Sequence, residues 1–209
     1  MTAKRHTLLF GGSFDPIHRG HLQTAAAALA EVRADRLLFI PAHLSPHKAA
    51  TAASFDHRLA MIRLAIGDQP ALAVSDIERL RPPPSYTIDT VAALQGQFPG
   101  DRFTLLMGAD QLPKLHTWHR VGELLGLIDV AILPRPGVDA DEAARQTAFD
   151  GATIARLRAA ILHTPLVDIA STTIRQRLAT GQPTADLLPP AVAQYITTHN
   201  LYRPVSNTQ

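Results

Sequence analysis

Three short stretches of this chain collect residues that bind anions. Residues 11–21, GGSFDPIHRGH, surround a junction between an apolar run and a helix-favouring one with two glycines and two histidines. Gly11 and Gly12 let backbone amides approach a phosphate with no Cβ in the way, and the helix that follows points its N-terminus at the same place. His18 and His21 stand three residues apart, so at the start of that helix both project to one face and reach one polyphosphate, with Gly20 leaving room between them. Residues 41–48, PAHLSPHK, deliver His47 and Lys48 just beyond a second apolar run. Residues 169–175, IASTTIR, offer Ser171 or Thr172 as a helix cap and, one turn on, Arg175, whose guanidinium holds two oxygens at once.

Each device has a plainer reading. A glycine pair after a strand is often a turn, a PHK segment a surface loop, and Ser-Thr a simple cap. Two histidines could be half a metal site, completed from His43, His47 or His116, since the chain has no cysteine to supply a thiolate. Three anion devices at three separate strand ends favour a phosphate site. Two further features suit a nucleotide: Gly108 and Asp110 in GAD end another apolar run, where a carboxylate fits a ribose diol, and Trp118 lies in LHTWHR among polar neighbours that argue against a core position. Arg135 in LPRPG ends a strand and reads equally as a solvated loop arginine.

The elements that would position these residues alternate. Apolar runs at 7–10, 37–40, 71–75, 103–107, 128–133 and 166–169 read as strands. Helical stretches are expected at 22–32, 56–66, 87–97, 121–125, 142–162, 171–180 and 191–199. Continuous apolar strands alternating with helices predict an α/β fold: a Rossmann-like, doubly wound, mainly parallel sheet with helices on both faces, whose ligands lie beyond the carboxyl ends of its strands. Residues 1–209 are expected to form one domain, with the helical part at about 171–203 completing the phosphate site. Arg81 and the three prolines after it read as a stiff surface connection, and residues 138–150 as a mobile insertion.

A chain of 209 residues with 46% apolar content can bury a sizeable core. Its formal charge of +2 is small and its cations are scattered, so no nucleic-acid tract is indicated. No apolar stretch is long enough for a membrane span, and the N-terminus lacks a signal-peptide core. We expect a soluble, cytoplasmic protein with no membrane partner; a homo-oligomer is compatible with the sequence.

GGSFDPIHRGH resembles the signature of the nucleotidyltransferases with a histidine–x–glycine–histidine motif, and its leading GGSFDP closely resembles the bacterial nicotinate-nucleotide adenylyltransferases. Class I aminoacyl-tRNA synthetases share a similar histidine motif, but the lysine–serine loop they pair with it is absent. The resemblance extends through PHK to IASTTIR, which matches the family's ISSTxIR pattern except that Ala170 replaces a serine. It implies His18, His21, Lys48 and Arg175 as catalytic residues. It places ATP against Gly11, Gly12, Ser13, Phe14, Gly108, Asp110, Arg135, Ser171 and Thr172 as well, with Asp110 on the ribose and Arg135 by the adenine. It places the acceptor against Ser13, His47, Lys48, Tyr86, Thr87, Trp118 and His119, with Trp118 stacked on a pyridine ring.

The implied reaction is transfer of the adenylyl group of ATP to nicotinate mononucleotide, releasing pyrophosphate. Mg²⁺ would enter with ATP, because no paired-carboxylate site stands out. The rivals are a sister enzyme acting on nicotinamide mononucleotide or phosphopantetheine, a nucleotide sensor without turnover, and a metal-binding regulator built on the histidines.

Overall fold

The computed structural model describes residues 4–44 and 51–203. Five strands form one sheet, all parallel: β1 (His6–Gly12), β2 (Arg36–Pro41), β3 (Leu72–Val74), β4 (Arg102–Gly108) and β5 (Asp129–Leu133), in the order β3-β2-β1-β4-β5. The strands are apolar on both sides because helices cover both faces. Leu8, Phe10, Leu37 and Phe39 face one core with α1 (Arg19–Val32), α2 (Phe55–Ile66), α7 (Ser171–Ala179) and α8 (Pro190–Thr198). Leu9, Leu38, Leu105 and Ile132 face the other with α3 (Thr87–Gln97), α4 (Val121–Leu127), α5 (Ala140–Arg145) and α6 (Gly151–Ala159). The α/β, doubly wound reading therefore holds.

Because β1 continues to β2 on one side while β4 lies on the other, the strand order reverses between β1 and β4, where a crevice opens at their carboxyl ends.

Three expectations are corrected and one element is added. The run at 166–169 joins no strand ladder; it follows Pro165, which lacks a backbone donor, and Leu166 is 62% exposed. Its place beside β5 is taken by residues 160–162, through Ile132 N–H to the Ala160 carbonyl and Leu162 N–H to the Ile132 carbonyl, both 2.8 Å. The helix expected at 142–162 is two, α5 and α6, broken where the Asp150 carboxylate caps Thr153 N–H at 2.7 Å. Residues 138–150, read as an insertion, instead contain α5, whose Ala143 and Ala144 are buried in the core. A 3₁₀ helix over Ala109–Thr117, carrying Pro113, has no counterpart in the sequence reading.

Candidate active site

A cleft of about 240 Å³ opens at the crevice between β1 and β4. Its floor is the strand end Gly11, Gly12 and Ser13, one wall is Gly108, Asp110 and Arg135, and the other is Tyr86, Thr87, Trp118 and His119. Ten of the residues singled out in the sequence thus meet around one space. Gly108 makes room there: a Cβ would lie 2.2 Å from Asp110 Oδ1 and 2.6 Å from Arg135 Nε, so the ion pair those two make, 3.3 Å long, would have to shift. On the opposite wall the Tyr86 and His119 rings stack, centroids 4.2 Å apart, and Trp118 rests half-buried against the core. Tyr86 is the N-cap residue of α3 and supplies no side-chain cap, so the first amides of that helix face no capping side chain beside the cleft.

The two histidines stand at the start of α1, which begins three residues earlier than its apolar pattern suggests. His18 is its N-cap. The His18 Nδ1 accepts from His21 N–H at 3.4 Å, and His21 Nδ1 accepts from His18 N–H at 3.3 Å. The rings stack with centroids 3.6 Å apart. This is a capping box made of two imidazoles. With each Nδ1 accepting, the proton of each neutral ring sits on Nε2, which makes a pair of N–H donors. Burial, and secondarily the Arg135 charge, pull the His18 pKa down to about 4, so it is neutral at physiological pH. Gly20 serves packing as well as access: a Cβ there would lie 2.9 Å from Val167 and 3.1 Å from Ile169, the segment leading into α7.

Arg175 reaches the same corner, donating to the Asp15 carbonyl at 2.8 Å, while the Ser171 hydroxyl donates to the Pro16 carbonyl at 2.9 Å. Two corrections follow. Neither Ser171 nor Thr172 caps α7: the N-cap is Ala170, the departure from the family pattern, and the cap hydroxyl is missing there. Phe14 is 2% exposed, with its ring among Phe10, Phe39 and His21, so its side chain packs the floor from below and does not face a nucleotide. His47 and Lys48 lie outside the described residues.

Several residues that brace the site escaped the sequence reading. Asp15, 4% exposed, accepts from Ala52 N–H at 2.7 Å, Ala53 N–H at 3.1 Å and the Tyr202 hydroxyl at 2.7 Å. Arg58, 1% exposed, donates to the carbonyls of Ser13, Ala42 and Ala53 at 2.7, 2.8 and 3.3 Å, tying the cleft floor to the end of β2. Glu78 lines the cleft, and burial pushes its carboxyl up against the opposing pull of its hydrogen bonds. Arg58 did carry a signal: it falls four and seven residues before Ile62 and Ala65, on the buried face of α2.

His18, His21 and Arg175 gather at the start of α1, outside the residues that line the cleft, and bring N–H donors of the kind that suit anions, while the cleft itself carries flat rings of the kind that suit an aromatic ligand. Residues 9–177 match the cytidylyltransferase-like family profile. The chain is 43% identical over 198 residues to a probable nicotinate-nucleotide adenylyltransferase of Bordetella petrii, covering 93% of this chain and 97% of that one. It is 41% identical over 195 residues to another from Neisseria meningitidis serogroup B, covering 93% and 96%. The fold matches a Plasmodium falciparum nicotinic acid mononucleotide adenylyltransferase complexed with NaAD, with a TM-score of 0.70 at 18% identity, covering 95% of this chain and 97% of that one. With motif, cleft and these relatives in agreement over nearly its whole length, the chain belongs to the nicotinate-nucleotide adenylyltransferases within the cytidylyltransferase-like family.

Proposed function

We propose that this protein transfers the adenylyl group of ATP to nicotinate mononucleotide, giving nicotinate adenine dinucleotide and pyrophosphate, a step of NAD biosynthesis. The observation that carries the reading is one cleft at the β1/β4 reversal with an acid–arginine pair for the adenosine half on one wall and an aromatic wall for a pyridine ring on the other. The acceptor phosphate attacks the α-phosphorus of ATP in line. The oxygen-to-phosphorus bond to the acceptor forms as the α–β bridge breaks, and the electron pair leaves on pyrophosphate. The nucleophile is already ionised at neutral pH, so no general base is needed, and catalysis is alignment of two anions and stabilisation of the charge on the leaving group. His18 and His21 donate from Nε2, and Arg175 adds a fixed cation; Lys48, by its place in the sequence, supplies another.

Mg²⁺, brought in with ATP, would supply charge neutralisation on the phosphates. The side chains of His18, His21 and Arg175 offer N–H donors, suited to anions and not to a cation. Among the described residues, no group of three or more His, Asp or Glu is placed to hold a metal. No described helix is long and apolar enough to cross a membrane. We place the enzyme in the cytoplasm, where ATP is at hand.

The test is the fate of label. With ATP labelled at the α-phosphate and nicotinate mononucleotide as acceptor, the label enters the dinucleotide; label found only in AMP, or transfer of a γ-label to the acceptor, contradicts adenylyl transfer.

A further inference from the structure

A cleft that must take two anionic ligands is lined by a buried carboxylate, Glu78, 8% exposed. An unsatisfied carboxylate there would repel both substrates and carry a desolvation penalty, so its presence needs a reason. Its oxygens are engaged. Oε2 accepts the backbone N–H of His43 at 3.1 Å, Oε1 accepts the Thr90 hydroxyl at 3.0 Å, and the Ser85 hydroxyl is a third partner. Thr90 in turn accepts from Arg81 Nη2 at 2.5 Å, so a cation balances the carboxylate through one hydroxyl.

These donors come from three separate segments bordering the cleft: the stretch after β2, the connection before α3, and the first turn of α3. Ser85 N–H also donates to the Leu44 carbonyl at 3.0 Å, lacing the first two together. The first turn of α3 sets where Tyr86 and Thr87 stand, and both line the cleft. None of the hydrogen-bond partners of Glu78 belongs to the wall of Gly108, Asp110 and Arg135. We infer that Glu78 is a positioning residue for the acceptor: its carboxylate, satisfied by His43, Ser85 and Thr90, fixes the first turn of α3 over the cleft at the spacing the acceptor's ring half requires. This rests on the function proposed above.

The test is steady-state kinetics with ATP and nicotinate mononucleotide varied independently, first on the wild type and then on Glu78→Gln, which keeps the shape but replaces one acceptor oxygen by a donor. The KM for nicotinate mononucleotide rises about tenfold while that for ATP stays within about twofold, a split that general loosening would not give. Thr90→Val, which removes the hydroxyl but keeps the volume, shows the same split, and Thr90→Ser recovers most of the loss. Should Glu78→Gln fail to fold by circular dichroism, the Thr90 pair decides the matter. Unchanged acceptor KM in the folded variants, or equal rises for both substrates, overturns the positioning role while leaving the function standing. A wild type that turns over no nicotinate mononucleotide overturns the function, and this inference with it.

Discussion

The two ends of the site are built differently. The phosphate corner is made of buried, mutually locked parts: His18 is 4% exposed and capped reciprocally with His21, Asp15 accepts three hydrogen bonds, and Arg58 gives three to carbonyls. The acceptor wall is made of half-exposed rings, Tyr86 stacked on an exposed His119 with Trp118 beside them. Donors that stabilise developing charge work best when they need not reorganise, which is what burial and reciprocal bonding provide. A wall that must admit and release a planar ring can keep its parts mobile, because selection there is by shape and stacking. On the proposed function, the difference separates the part of the molecule that serves the chemistry from the part that serves recognition.

The sharpest way to break this contrast is at the locked end. His21→Ala removes one Nε2 donor and half of the capping box, and kcat falls about a hundredfold, corresponding to roughly 3 kcal/mol of transition-state stabilisation. Stopped assays at saturating substrate, with thermal melting to confirm folding, measure it; wild-type turnover would put the histidine pair outside the reaction.

Acid probes the same corner without a mutation. His18 is held at about 4 by burial and by Arg135, below its value in the unfolded chain, so between pH 6.5 and 4 the unfolded state binds the extra proton. This neutral histidine therefore contributes no loss above pH 6.5, and the folded state loses up to about 3 kcal/mol as the pH falls to 4. Urea unfolding of the free protein at pH 7 and at pH 4.5 reads this. In His18→Asn, which keeps a capping side chain, that portion of the pH slope is absent.

At the recognition end the effects are smaller and confined to one substrate. Trp118→Ala costs about 1 kcal/mol of stacking on the pyridine ring, raising the acceptor KM about fivefold and leaving that of ATP alone. A matching rise for ATP would mean that Trp118 holds up the whole cleft. Smallest is Ala170→Ser, which restores a cap hydroxyl to α7 and raises stability by about 1 kcal/mol in denaturant titration. No gain would show that the N-terminal amides of α7 are satisfied by other means.

What the sequence disclosed follows the same division. The anion corner was legible because its chemistry is local: the glycines and histidines lie within a few residues of the end of β1, and Arg175 lies one turn into a helix, so each reads directly as a donor. Its brace was not, since Asp15 meets Tyr202 and Arg58 meets Ser13 only once the chain has folded, 187 and 45 residues apart in sequence. The sheet was legible in its five apolar strands; the sixth was misread because residues 166–169 are apolar in composition yet lie outside the ladder. The break between α5 and α6 was missed although Asp150 and Gly151 carry a start signal, because the alanine- and arginine-rich stretches on either side share one helical pattern. The reciprocal capping of His18 and His21 through Nδ1 is invisible to spacing alone.

Pyrophosphate release shows most directly whether this site joins the adenylyl group of ATP to a nicotinate nucleotide. ATP and Mg²⁺ are offered with nicotinate mononucleotide, nicotinamide mononucleotide or phosphopantetheine in separate reactions. Release is expected to be fast with the nicotinate compound and at most slow with the others; faster release with either of the others, or none with any, would contradict the proposed function.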